Sequence, residues 1–94
     1  PMVYRVTAPV IEWYQDDSGY WTQAISLSGL ESSYDTPPDV DVSLSGGDFE
    51  GDAAILEAFA LIGLAQLEDG VLTLKCACAD QPSVNIPLTV RIWP

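Results

Sequence analysis

The sequence contains no histidine and only three cationic side chains, Arg5, Lys75 and Arg91. Without histidine it has no Ser–His or Cys–His nucleophile pair, no two-histidine metal site and no side chain whose unperturbed pKa lies near neutrality. No glycine-rich phosphate-binding motif is present either. We therefore expect a protein that is not an enzyme, with no catalytic residues, no metal ligands and no cofactor.

The shortage of cations also limits the partners. Fourteen carboxylates face three cations, which gives a net charge of −11 on 94 residues. Direct nucleic-acid binding needs Lys and Arg against phosphates, so it is excluded, and anionic membrane surfaces are excluded on the same ground. A basic protein partner, or a cation, is what such a charge attracts. A disordered acidic tail is not expected, because 48% of the residues are hydrophobic.

Cysteine is scarce, and the two thiols lie two residues apart at Cys76 and Cys78. A disulfide at this spacing on a strand would be strained. Two soft ligands are half of the four that structural zinc usually takes, unless a dimer supplies the second pair. We expect both thiols to be core residues in a reducing compartment.

No secretion signal is visible, because no basic segment followed by an apolar run comes after Met2. Pro1, which precedes Met2, is typical of a tag remnant. The expectation is a single domain over residues 1–94, located in the cytoplasm of the producing or infected cell.

The one helix-like stretch is residues 52–69, DAAILEAFALIGLAQLED. Strong helix formers dominate it, Asp52 is a suitable N-cap, and Gly70 is a suitable C-terminal stop. Gly63 inside it indicates either the close approach of another backbone or a neutral sequence change. Residues 53–67 would span about 22 Å as a helix, short of the roughly 30 Å membrane core. A helix that is apolar on nearly all sides should be buried on more than one side, by the rest of the chain or by a second copy.

Strand patterns flank this stretch on both sides. The predicted strands are residues 2–15 (interrupted at Pro9), 20–28, 71–79 and 84–93, with turns at 16–19 and 80–83. Two hairpins around one helix predict an α+β fold of order β-β-α-β-β. In it, a four- to five-stranded antiparallel sheet packs one face against the apolar helix.

Residues 29–51 form a long acidic connection, in which residues 40–44 could add an edge strand. Asp39, Asp41 and Ser43, with Glu50 at the twelfth position, match part of an EF-hand calcium loop. Leu44 stands where the turn glycine belongs, however, and a Pro-Pro pair precedes the loop. An acidic loop leading into a capped helix is therefore the favoured interpretation.

Aromatic side chains cluster at the 16–19 turn, where Trp13, Tyr14, Tyr20 and Trp21 lie close in sequence. The structural interpretation is stacking across the two strands of the hairpin. The functional alternatives are a rigid tip that docks into a basic protein, or a stacking platform for sugars.

The resulting hypothesis is a stoichiometric acidic binding protein that occupies a basic surface of a protein partner. In its sharpest form, the carboxylates stand in for phosphates and inhibit a nuclease or another nucleic-acid-binding protein. Phage anti-defence proteins and immunity proteins of nuclease toxins share this size and acidity. The expected partner-binding residues are Asp16, Asp17, Tyr20, Trp21, Asp35, Asp39, Asp41, Asp48, Glu50 and Asp52.

Two alternatives stay open. One is a structural subunit of a homo-oligomer such as a virion component, in which case a homodimer or larger assembly is expected. The weaker one is a calcium- or carbohydrate-binding module.

Overall fold

The computed structural model describes residues 1–30 and 37–93, which form an α+β fold. Within these residues there are seven strands in two antiparallel sheets, together with one α-helix. The elements in chain order are β1 (Met2–Ala8), a 3-10 turn (Val10–Glu12), β2 (Tyr14–Gln15), β3 (Trp21–Ser26), β4 (Asp39–Val42), α1 (Phe49–Ala60), β5 (Ile62–Glu68), β6 (Val71–Cys76) and β7 (Ile86–Ile92). The predicted class, antiparallel strands with one helix, is confirmed. The predicted number of strands was too low.

The strands are divided between a three-stranded sheet of order β1-β7-β4 and a four-stranded sheet of order β2-β3-β6-β5. The predicted hairpin between the last two strands was wrong. β6 pairs with β3 and β5, whereas β7 pairs with β1 and β4 in the other sheet. Residues 77–85 therefore connect one sheet to the other.

The chain also changes sheets at Pro9, between β1 and the 3-10 turn that leads to β2. The predicted interruption there is confirmed, as is the predicted 16–19 turn between β2 and β3. β4 lies at an edge of its sheet, as expected for residues 40–44. Pro87 lies on the central strand β7, at the point where pairing with β4 ends after Val42. Its missing N–H therefore costs little.

The core is built from alternate residues of the strands, because successive side chains on a strand point to opposite faces. Every second residue of β7 is buried, as its alternation predicts, and β6 follows the same pattern. The buried side chains of these two strands are Leu72, Leu74, Cys76, Ile86, Leu88, Val90 and Ile92. They belong to a single apolar cluster that also includes Ala58 of the helix.

Helix α1 is shorter than predicted and begins earlier. It runs from Phe49 to Ala60, and its N-cap is Asp48, whose carboxylate accepts a hydrogen bond of 3.1 Å from the Gly51 N–H. The prediction of Asp52 as N-cap was wrong. The helix is also not buried on more than one side, since Ala58 is its one fully buried residue.

The second half of the predicted helix is strand β5, which forms a hairpin with β6. Asp69 and Gly70 connect the two strands with φ angles of 51° and 75°, and Glu68 is paired with Val71. Two central residues with positive φ are typical of a type I′ turn, for which Asp-Gly is a favoured sequence. Gly70 therefore closes a hairpin and does not end a helix.

Gly63 lies at an irregularity in the pairing of β5 with β6, where the register shifts between Ile62 and Leu64. A Cβ at Gly63 would lie only 2.5 Å from the Cβ of Ala77. The predicted close approach is confirmed, although the setting is a strand and not a helix.

No helix in the described part of the chain is long and apolar enough to cross a membrane.

Candidate functional site

The carboxylate of Asp52 fastens the loop before helix α1 to the helix itself. It accepts hydrogen bonds from the Gly46 N–H at 2.8 Å and from both the N–H and the hydroxyl of Ser45 at 3.0 Å. The Gly46 N–H, supported by Ser45, holds the pKa of Asp52 below its ordinary value. The hydroxyl of Ser43 lies 2.7 Å from that of Thr89 on β7. The loop is therefore fixed at two places.

One side of helix α1 is apolar and faces outward. Phe49, Ala53, Leu56 and Ala60 are all exposed and follow the spacing i, i+4, i+7, i+11, which places them along one stripe. Phe49 is 88% exposed and Leu56 is 47% exposed. We call these four residues the outer stripe.

The opposite side of the helix carries Ile55, Ala58 and Phe59, which contact the core cluster. Helix α1 therefore has two apolar sides, of which the described residues cover one. This arrangement explains why its sequence indicates burial all round although one side is open.

An open groove of about 480 Å³ lies between the outer stripe and the loop that Asp52 holds. Leu44, which is 43% exposed, forms part of its wall opposite Phe49 and Leu56. We call this space the α1 groove.

Asp52 lines the α1 groove, and the stretch of sequence that forms the groove contains no Lys or Arg. Successive residues of a helix are separated by about 100°, so the exposed Glu50 and Glu57 form a row beside the outer stripe. Asp52 lies on its other side. The sequence has no Lys or Arg between Arg5 and Lys75.

Two ion pairs are formed among the described residues, and in each the cation is a side chain on a β-strand. Lys75 Nζ lies 2.5 Å from a carboxylate oxygen of Asp16, and Arg91 lies 3.7 Å from Asp39. Both pairs are partly exposed, so each contributes little stability. Their main consequence is that Asp16 and Asp39 are partly neutralised.

The 16–19 turn is stabilised from within by Asp16. Its carboxylate accepts hydrogen bonds from the Ser18 and Tyr20 N–H groups at 2.9 and 3.1 Å. Lys75, followed by these turn donors, lowers the pKa of Asp16. The Nζ of Lys75 also lies 5.7 Å from the centre of the Tyr20 ring. Asp17 is exposed, so it is the turn carboxylate that can reach a partner.

The aromatic cluster is divided by the fold. Trp13 is buried in the core, and the indole N–H of Trp21 donates to the Ala79 carbonyl at 3.0 Å. Tyr14 is paired with Thr22, and Trp21 with Gln15, so the predicted opposition of aromatic residues across the hairpin is not formed. Tyr14 and Tyr20 stay exposed at 53% and 40%.

The expected partner-binding residues therefore fall into two groups. Asp16, Asp17, Tyr20 and Trp21 belong to the four-stranded sheet and its turn. The second group lies on β4 and around the start of α1: Asp39, Asp41, Asp48, Glu50 and Asp52. Asp35 lies outside the described residues.

The residues of the partial EF-hand pattern are divided between strand β4, the segment after it and the first turn of helix α1. Asp39 and Asp41 lie on strand β4, and Asp41 accepts a hydrogen bond from the N–H of Val42. Within residues 1–30 and 37–93, no three His, Cys, Asp or Glu side chains come close enough to hold a metal ion.

The two thiols differ in environment and are not bonded to each other. Cys76 is 2% exposed on the core side of β6, as predicted. Burial, and then the neighbouring Cys78, raises the pKa of Cys76 to about 11. The prediction that Cys78 is a core residue was wrong, because it lies beyond the end of β6 and is only half-buried, with its Sγ 4.0 Å from Asp80.

The groove was not predicted from the sequence. The sequence does contain apolar residues at the helical spacing i, i+4, i+7, i+11, namely Phe49, Ala53, Leu56 and Ala60. A predicted helix that starts at Asp52, however, places Phe49 in a loop. Moving the start to Asp48 would have revealed the stripe.

Comparison with family models, with curated proteins and with solved structures finds no match for this chain.

Proposed function

We propose that this protein acts without catalysis, by occupying a positively charged surface of a protein partner. The observation that carries the proposal is the unbalanced charge around the start of helix α1. Asp48 and Glu50 are exposed at the start of the helix and Glu57 is exposed farther along it, within a stretch of sequence that contains no cation. Asp41 is also exposed, on strand β4, where the neighbouring Asp39 is paired with Arg91. Such a surface attracts Lys and Arg side chains and repels nucleic acid and other acidic proteins.

In the sharper form of the proposal, the partner is a nucleic-acid-binding protein or a nuclease, and the carboxylates take the place of backbone phosphates. Complementary charge accelerates association and makes it sensitive to salt. Binding of this protein would then exclude nucleic acid from the same site. The biological effect would be inhibition, of the kind that a phage anti-defence protein or an immunity protein exerts.

The test is capture from a lysate of the cells in which the protein is naturally made, at low and at high NaCl. The proposal predicts recovery of a basic protein that is released by salt and competed away by duplex DNA. Glu50→Gln/Glu57→Gln should weaken this capture more than Glu12→Gln/Glu68→Gln does. Both variants remove two exposed carboxylates, so they change the net charge equally.

Two results would contradict the proposal. One is recovery of no basic protein at either salt concentration. The other is an equal effect of the two double variants, since binding would then depend on net charge and not on this surface.

A second candidate function is that of a subunit in a homo-oligomer. The exposure of Phe49 and Leu56 favours it, because contiguous exposed apolar side chains often mark an interface. Light scattering at two salt concentrations separates the candidates. A stable oligomer that is insensitive to salt favours the subunit, whereas a monomer favours the acidic binding protein.

A further inference from the structure

We infer that the α1 groove receives an apolar side chain from a basic segment of the protein partner. This inference rests on the proposed function and adds the chemistry of the partner's contact: one apolar residue with Lys or Arg on either side of it.

The first argument is the apolar character and openness of the groove. Phe49, Leu56 and Leu44 expose 88%, 47% and 43% of their surfaces around one open space. Singly exposed apolar side chains are ordinary, but three of them around one groove are not. An aromatic residue such as Phe49 is well suited to act as an interface anchor.

The second argument is that the groove is formed before anything binds. Ser45 and Gly46 are held on the helix by the Asp52 carboxylate, and Ser43 is held on β7 by its N–H bond of 2.8 Å to the Pro87 carbonyl. A wall that is already fixed loses little conformational entropy on binding.

The third argument is charge, which favours a basic segment of a partner over a second copy of this chain as the occupant of the groove. Glu50 and Glu57 flank the outer stripe on one side and Asp52 on the other. A second copy of this chain would bring its own carboxylates against these, and like charges across an interface are unfavourable. A partner segment with Lys or Arg beside its apolar side chain places opposite charges together.

The experiment uses a fluorescein-labelled synthetic peptide with one leucine between two pairs of lysines, and fluorescence anisotropy at low salt. A control peptide carries serine in place of leucine and keeps the same charge. We expect the leucine peptide to bind at least about tenfold more tightly than the serine peptide, as for a buried apolar anchor.

The protein variants are Phe49→Ala and, as a matched control, Ile11→Ala. Both residues are exposed, at 88% and 85%, so neither truncation should disturb folding, which circular dichroism checks. Phe49→Ala should weaken leucine-peptide binding about tenfold and leave serine-peptide binding unchanged. Ile11→Ala should change neither.

Equal binding of the two peptides, or equal effects of Phe49→Ala and Ile11→Ala, would overturn the inference. So would the absence of saturable binding at millimolar peptide. A dimer in light scattering that Phe49→Ala dissociates would overturn it in favour of a second copy.

Failure of this inference can be distinguished from failure of the proposed function. If Glu50→Gln/Glu57→Gln weakens capture of the natural partner and Phe49→Ala does not, the acidic surface remains supported and the apolar anchor is refuted. If neither variant alters the capture, both proposals fail.

Discussion

The contact between Gly63 and Ala77 can be tested by adding a single carbon atom. Gly63→Ala would place a Cβ 2.5 Å from the Cβ of Ala77 and 3.2 Å from its Cα. Carbon atoms prefer separations of about 3.5–4.0 Å, so the closer pair falls short by roughly 1 Å. The Cβ of an alanine cannot rotate away from its own backbone, so a strand must shift.

Overpacking of this kind typically costs about 1–3 kcal/mol of unfolding free energy. A domain of this size has a total stability of roughly 5–15 kcal/mol, so the variant should still fold. For a domain of under about 100 residues, the lower bound of that loss corresponds to a Tm decrease of about 4 °C or more. Urea unfolding followed by tryptophan fluorescence is a suitable assay, because Trp13 is buried.

Gly47→Ala is the matched control, because a Cβ at Gly47 has no atom within 4 Å. It should change the unfolding free energy by no more than about 0.5 kcal/mol. Ala77→Gly, combined with Gly63→Ala, removes the closest contact and should recover part of the loss. A double-mutant cycle over these two positions measures the coupling. If Gly63→Ala is as stable as Gly47→Ala, or if the cycle shows no coupling, the close approach is refuted.

Three further predictions concern pH, thiol reactivity and the core. The pKa of Asp52 is lowered in the native state from 3.8, so its contribution to stability is present above about pH 4 and is lost as pH falls through the native value. Urea midpoints should accordingly fall less steeply in acid for Asp52→Ala than for the wild type, and parallel profiles would contradict this. Iodoacetamide should modify Cys78 in the native protein and Cys76 only after unfolding. The reason is that Cys76 is 2% exposed and its pKa is raised to about 11. Mass spectrometry can follow the modification of each thiol. Equal rates of modification of the two thiols in the native protein would refute this prediction. Leu72→Ala, at a fully buried position, should cost about 2–5 kcal/mol in urea unfolding, whereas Leu64→Ala at a position 47% exposed should cost less than about 1 kcal/mol. Similar losses would contradict the burial pattern.

The strands could be predicted where their side chains alternate. In β7 the apolar residues occupy every second position. This period of two does not depend on which strands pair with β7. The interruption at Pro9 and the turn at 16–19 could also be predicted, since each depends on local backbone chemistry. These features are local, and the structure bears them out.

The segment after Ala60 could not be assigned from propensity alone. Residues 61–68 consist largely of good helix formers, and a short apolar run is compatible with both a helix and a buried strand. The competing signal was Asp69-Gly70, whose preference for a type I′ hairpin turn indicates a strand on each side. Packing of β5 against β6 then outweighs the helix propensity.

Strand pairing and internal charge partners are properties of the folded chain. Nothing in the alternation of β7 indicates that it pairs with β1 and β4 and not with its sequence neighbour β6. Likewise, the acidity of the surface could be read from composition, but the neutralisation of Asp16 by Lys75 follows from the pairing of β3 with β6. The acidity of the candidate site could be predicted from the sequence, whereas its apolar groove could not.

The central position of β7 has a consequence for biosynthesis. It is the last of the described strands to leave the ribosome. Of its two neighbours, β1 precedes it by most of the chain and β4 by nearly half of the chain. Until it arrives, those two strands have no common partner in the sheet, so the three-stranded sheet cannot assemble before β7 is synthesised. Nascent chains halted before residue 86 should therefore expose two unpaired edges and be good substrates for chaperones.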